Sequence, residues 1–141
     1  MVIIVYGFKV TPDYPLYTPL PWGREITYVL MLPAVYLFLS NTATSVPSSA
    51  QVLTAHPLSW GCILWSLAHL LSNGAAPGVI VFSTVLLFGV FSIATGNKRG
   101  IKSTKDKRPQ LLKEIRFLVV AASIYLALVW GHVYISGINI V

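Results

Sequence analysis

The residues with most chemistry to offer in this apolar chain are His69, His132 and His56. An imidazole can ligate a metal or haem iron, relay a proton or hold a hydrogen bond, and an ionisable group inside an apolar helix is costly enough to mark such a use. His69 and His132 stand towards the ends of two different apolar runs, and each has polar company. Ser59, Cys62, Ser66, His69 and Asn73 follow one another at spacings of three, four, three and four. At about 100° per residue that places them on one helical stripe, which should turn towards other helices or a cavity. Tyr125, His132 and Ser136 share a face by the same spacing. Hydroxyls such as Ser66 and Tyr125 are candidates for orienting the imidazole rings.

Plainer uses fit the same positions. His69 equally suits a buried neutral imidazole bonded to a neighbouring helix, and His132 a solvated helix end. His56, immediately before Pro57, suits a cap or loop residue better than a ligand. Cys62 suits a small packing residue, and Trp60 and Trp65 suit lipid or core contacts.

The elements that must position these groups belong to a membrane bundle. The hydrophobic fraction is 55% and the charged fraction 10%, whereas a soluble domain carries about a quarter charged residues. The 141 residues fit one domain, 1–141, and the single Cys62 excludes an intrachain disulfide. The net charge of +6 does not point to nucleic acid, because eight of the ten basic residues fall between Lys98 and Arg116 in one cluster.

Breakers divide the chain. Met1 to Phe8 is apolar but too short to span, and it reads as the tail of an N-terminal helix. Lys9 to Trp22, with Pro12, Pro15, Pro19 and Pro21, predicts an irregular stretch at the membrane interface. A first span is expected from Arg24 to Ser40, with Pro33 inside it, followed by a loop from Asn41 to Gln51. Pro57 opens a second helix that stops at Asn73 and Gly74. The short link then forces an antiparallel third helix, Pro77 to Thr95, where Gly89 and Ser92 permit close packing. A fourth runs from Leu112 to Ser136, with Ala121 and Ala122 in the same part. The fold class is therefore all-α, a polytopic transmembrane bundle of about four spans plus the N-terminal remnant. The basic loop, residues 97–112, is expected on the cytoplasmic side, which brings His69 and His132 into the same outer leaflet.

The stretch Thr54 to Gly74, TAHPLSWGCILWSLAHLLSNG, closely resembles the central signature of the NnrU family. In that signature a His-Pro step, a Gly, a Trp and a His-Leu-Leu-x-Asn-Gly ending recur; here they are His56, Pro57, Gly61, Trp65, His69, Leu70, Leu71, Asn73 and Gly74. The resemblance continues through the third helix and basic loop to Gly131, His132 and Gly137, and so covers the chain at family level.

It implies a multi-pass membrane protein related to bacterial proteins linked with denitrification and to the plant and cyanobacterial 15-cis-zeta-carotene isomerase, a haem b enzyme with histidine-ligated iron. Carried over by position, His69 and His132 are the expected haem and metal ligands, with His56 a further cofactor-binding candidate. The implied partners are the lipid bilayer and an apolar polyene substrate, with no nucleic acid; the implied location is a bacterial inner membrane. A non-catalytic accessory role in expression or assembly of nitrite or nitric oxide reductases is the other function implied. Two departures stand out: relatives usually begin with one or two more helices including another histidine, and many carry Arg where this chain has Ala55.

Overall fold

The computed structural model describes residues 12–40, 47–104 and 108–137, and every regular element among them is a helix. These are α1 (Gly23–Leu39), α2 (Ser49–Leu53), α3 (Pro57–Ser72), α4 (Ala76–Lys98) and α5 (Leu111–Ser136). The helix remnant expected over Met1 to Phe8 lies outside the described residues, as do Lys105, Asp106 and Lys107 of the basic loop.

The breakers act as expected at most boundaries. Pro57 and Pro77 occupy first-turn positions of α3 and α4, where a missing N–H costs nothing. Asn73 leaves the helix in an extended conformation, and its Oδ1 accepts the Ala75 N–H at 3.0 Å to close the reversal. Gly137 ends α5 at φ +77, a left-handed conformation that favours glycine. One expected loop is wrong in part: the stretch predicted from Asn41 to Gln51 already contains the start of α2. Ser48 Oγ accepts the Gln51 N–H while the Gln51 side chain accepts the Ser48 N–H, so a capping box nucleates this short helix.

Three antiparallel contacts order the long helices as α5, α1, α3, α4. Where α1 meets α3, Gly23 faces the Leu71 carbonyl and Phe38 packs over Gly61. Thr27 Oγ1 stands 2.6 Å from the Ala68 carbonyl between them. Where α3 meets α4, His56 lies on Gly96, Ile63 on Gly89 and Asn73 on Gly78. Small residues at each crossing let backbones approach closely, which is how apolar helices gain packing energy without a hydrophobic driving force. The contact between α1 and α5 is different: Tyr36 meets Glu114 and Phe117, and the Tyr125 hydroxyl donates to the Tyr28 carbonyl at 3.1 Å.

Among the described residues, α4 and α5, with 23 and 26 residues, are the two helices long and apolar enough to cross a membrane by length and composition. Both leave large apolar side chains outward, among them Leu87, Phe88 and Phe91 on α4 and Leu126, Trp130 and Ile135 on α5. Apolar surface of that extent is rare on monomers in water.

Candidate functional site

His69 is held from within its own helix. Its Nδ1 lies 2.8 Å from the Trp65 carbonyl oxygen, one turn back. A carbonyl only accepts, so in the neutral imidazole Nδ1 carries the proton and Nε2 keeps the lone pair. Two aromatic rings fix the plane of the imidazole: Trp65 and Phe82 each stand 4.6 Å from it, centroid to centroid, and 5.0 Å from each other. The result is a neutral imidazole with one nitrogen engaged and its ring flanked on two sides.

His132 shows a related arrangement. The Ser136 hydroxyl donates to the His132 carbonyl at 2.9 Å, and the same oxygen stands 2.9 Å from His132 Nδ1. With the hydroxyl proton on the carbonyl, Nδ1 becomes the donor, as at His69. Both histidines are partly buried.

Helix register brings the pair to one end. Gly23 and Thr27 of α1 meet Leu71 and Ala68, so His69 comes level with the first turns of α1. The antiparallel pairing of Tyr36 with Phe117 and Tyr28 with Tyr125, continued towards the end of α5, brings His132 to the same end of the bundle, level with the residues just before α1. The two imidazoles lie within electrostatic reach of one another.

His56 is elsewhere. It precedes the first residue of α3, thirteen positions before His69, which is about 20 Å at 1.5 Å per residue. Its ring packs on Gly96, and Nε2 lies 2.9 Å from Asn97 Oδ1. In this position it ties the start of α3 to the end of α4, and it shares no side chain with the His69 surroundings.

The stripe on α3 divides by partner. Ser59 Oγ donates to Ser92 Oγ at 3.0 Å, and Cys62 packs near Gly89, a small free thiol among packed groups. The hydroxyls expected to orient the rings do other things. Ser66 Oγ is fully buried with no hydrogen-bond partner among the described residues, and Tyr125 bonds the α1 backbone, so the Trp65 carbonyl and Ser136 take the orienting role.

Two features of the site escape a reading by residue type. Phe82 is one apolar residue among many in α4, and only the tight α3–α4 reversal puts it against His69. Trp65 had a signal, since it precedes His69 by four. The second feature is the proline-rich segment before α1, which folds over the α3–α4 link: Leu16 N–H donates to the Gly74 carbonyl at 2.8 Å and Ala76 N–H to the Tyr14 carbonyl at 3.0 Å. The Tyr17 hydroxyl meets the Leu70 and Asn73 carbonyls, orphan acceptors at the end of α3. Burial pushes its pKa above the ordinary phenol value, so it remains a donor.

The donor set can be tested against a cofactor. Among the described residues no group of three or more His, Cys, Asp or Glu converges on one point. Two imidazoles suit a haem, which brings four nitrogens of its own, better than a bare ion that needs four protein ligands.

The family described as NnrU protein matches residues 1–140, nearly the whole chain. No curated protein and no solved structure matches it.

Proposed function

The chain belongs to the NnrU family, and on that premise we propose that it is a multi-pass membrane protein binding haem b between His69 and His132. The observation that carries this reading is the state of the His69 ring, with Nδ1 engaged by the Trp65 carbonyl and the lone pair left on Nε2. Histidines that ligate metals characteristically donate their other N–H to a carbonyl or similar acceptor, which fixes tautomer and orientation. Ser136 does the corresponding work at His132.

In this reading α1 and α3 cross the bilayer with α4 and α5, giving four spans, and the basic loop lies on the cytoplasmic face of a bacterial inner membrane. At 17 and 16 residues α1 and α3 are short for the roughly 20 residues of a full span, and the Pro-rich segment completes one end of the pair.

The reaction proposed is cis-to-trans isomerisation of a double bond in an apolar polyene such as 15-cis-zeta-carotene. Bound haem would supply a redox-active iron. Trp65 and Phe82 hold the His69 ring and keep water from its faces, while the outward apolar side chains of α4 and α5 give a polyene a route from lipid. A second reading has support of its own. His69 and His132 would hold the haem, whose redox-active iron would suit electron transfer, and this favours a non-catalytic accessory role alongside denitrification enzymes.

The test is the absorption spectrum of the full chain purified in mild detergent. A Soret band lost in both His69→Ala and His132→Ala is expected; a folded, colourless wild-type protein overturns the haem reading. Conversion of 15-cis-zeta-carotene by the reduced protein then separates the isomerase from the accessory role.

A further inference from the structure

The proline-rich segment ahead of α1, residues 14–22, is pinned to the bundle by its backbone while its larger side chains turn outward. It pairs with the link between α3 and α4. The Leu16 N–H donates to the Gly74 carbonyl at 2.8 Å, the Ala76 N–H donates to the Tyr14 carbonyl at 3.0 Å, and the Tyr17 hydroxyl meets the Leu70 and Asn73 carbonyls. Gly74 lets the Tyr17 carbonyl come so close that a Cβ there would overlap it. The segment is therefore a fixed strap. Yet Tyr14, Leu16, Leu20 and Trp22 are each between 42% and 53% exposed.

A fixed strap that presents apolar and aromatic side chains outward needs a surface to meet. Its composition selects which one. Between Asp13 and Arg24 no residue is charged, and Tyr14, Tyr17 and Trp22 combine an apolar ring with a polar edge, the type of side chain that gathers where lipid meets water. Pro15, Pro19 and Pro21 bring no N–H, which lowers the number of backbone donors to be satisfied. Irregular backbone is excluded from the hydrocarbon interior where lipid touches it, so the headgroup zone is the depth that suits this one.

The placement of the strap gives the same depth independently. Ala76, bonded to Tyr14, is the first residue of α4, which is long and apolar enough to cross a membrane. Its 23 residues measure about 34 Å against a hydrocarbon core of about 30 Å, so the first turn of α4 falls at the membrane boundary and the strap lies level with it. Tyr134, exposed in the last turn of α5, stands at the same end.

We propose that residues 14–22 form an interfacial anchor, lying in the lipid headgroup zone of one leaflet with Tyr14, Leu16, Leu20 and Trp22 against lipid. This rests on the reading of α4 as a span and adds the depth of the histidine site. Leu70, whose carbonyl meets the Tyr17 hydroxyl, follows His69 directly, so the anchor holds His69 just below the membrane surface.

The experiment places one fluorophore on a cysteine of the full chain in a Cys62→Ser background, at Leu20→Cys, Trp22→Cys or Leu87→Cys. The chain is reconstituted in vesicles of phosphatidylcholine and phosphatidylglycerol that carry a nitroxide either near the headgroup or near the end of the acyl chain. Leu87, midway along α4 and exposed, reports the hydrocarbon interior. At Leu20→Cys and Trp22→Cys the shallow nitroxide is expected to quench about twofold more than the deep one, with the order reversed at Leu87→Cys. Weak quenching by both nitroxides at the two strap positions, or stronger quenching there by the deep one, overturns the anchor while α4 remains a span. If Leu87→Cys also escapes both nitroxides, the membrane reading falls with it.

Discussion

α3 and α5 each carry one of the two histidines, and they are held by opposite means. α3 is locked between two neighbours at successive close crossings, with Gly23 on one side and Gly78, Gly89 and Gly96 on the other. α5 leans on α1 along one face, where Ala121 is its one fully buried residue and hydroxyl contacts from Tyr36 and Tyr125 form the seam. Close packing has no intermediate positions, because backbones that nearly touch cannot slide without overlap. A seam of exchangeable hydrogen bonds can give. The position of His69 is thus a property of the packed layer, whereas the position of His132, and with it the width of the site, depends on how α5 sits against α1.

That contrast is broken most severely at Gly23. A Cβ there overlaps the Leu71 carbonyl, so Gly23→Ala must force α1 and α3 apart. The expected loss is about 2–3 kcal/mol, read as a lowered midpoint of thermal unfolding in detergent. A stability equal to wild type would mean that this layer is not close-packed in solution.

The α5 seam is probed next. The Glu114 carboxylate accepts from the Tyr36 hydroxyl and, at 3.1 Å, from the Ser49 N–H at the start of α2, so one side chain joins three helices. Glu114→Ala should cost less, about 1–2 kcal/mol, and its signature is local: faster hydrogen exchange in α2 and α5 with α3 and α4 unchanged. Uniform acceleration across all helices would show that the two regions are one cooperative unit.

The smallest effect has the opposite sign. Among the described residues a Cβ at Gly131 meets nothing within 4 Å, although the residue lies inside α5 only one position from His132. Gly131→Ala should therefore stabilise by about 0.5–1 kcal/mol through the unfolded chain, measured by the same thermal midpoint. A loss instead would place another surface against this face of α5.

Much of the helical plan was legible because its punctuation is strong. Pro57, Pro77, the Asn73–Gly74 stop and Gly137 act through the local backbone, and each marks a boundary within a residue or two of the observed one. α2 was hidden in an apparent loop rich in Ser and Thr, although Ser48 and Gln51 at the capping-box spacing signalled it. The site was legible only in outline. Spacing marked the His69 stripe, but the partners of its members depend on which helix lies across from each: Ser59 found Ser92, and Ser66 found none. His56 has the same residue type and a similar local setting, yet its role differs because α4 presents Gly96 and Asn97 to it.

Residue order alone determined that the chain would form apolar helices with short reversals, that neighbours along the chain would be antiparallel, and that one end would carry a basic loop and the other two histidines. These follow from local sterics, helical period and the cost of charge in an apolar medium, none of which needs a distant partner. The tertiary structure decided which carbonyl holds the His69 proton and which rings enclose it. Those outcomes depend on the register and rotation of one helix against another, set by where glycines let two backbones approach, and no single segment contains that information.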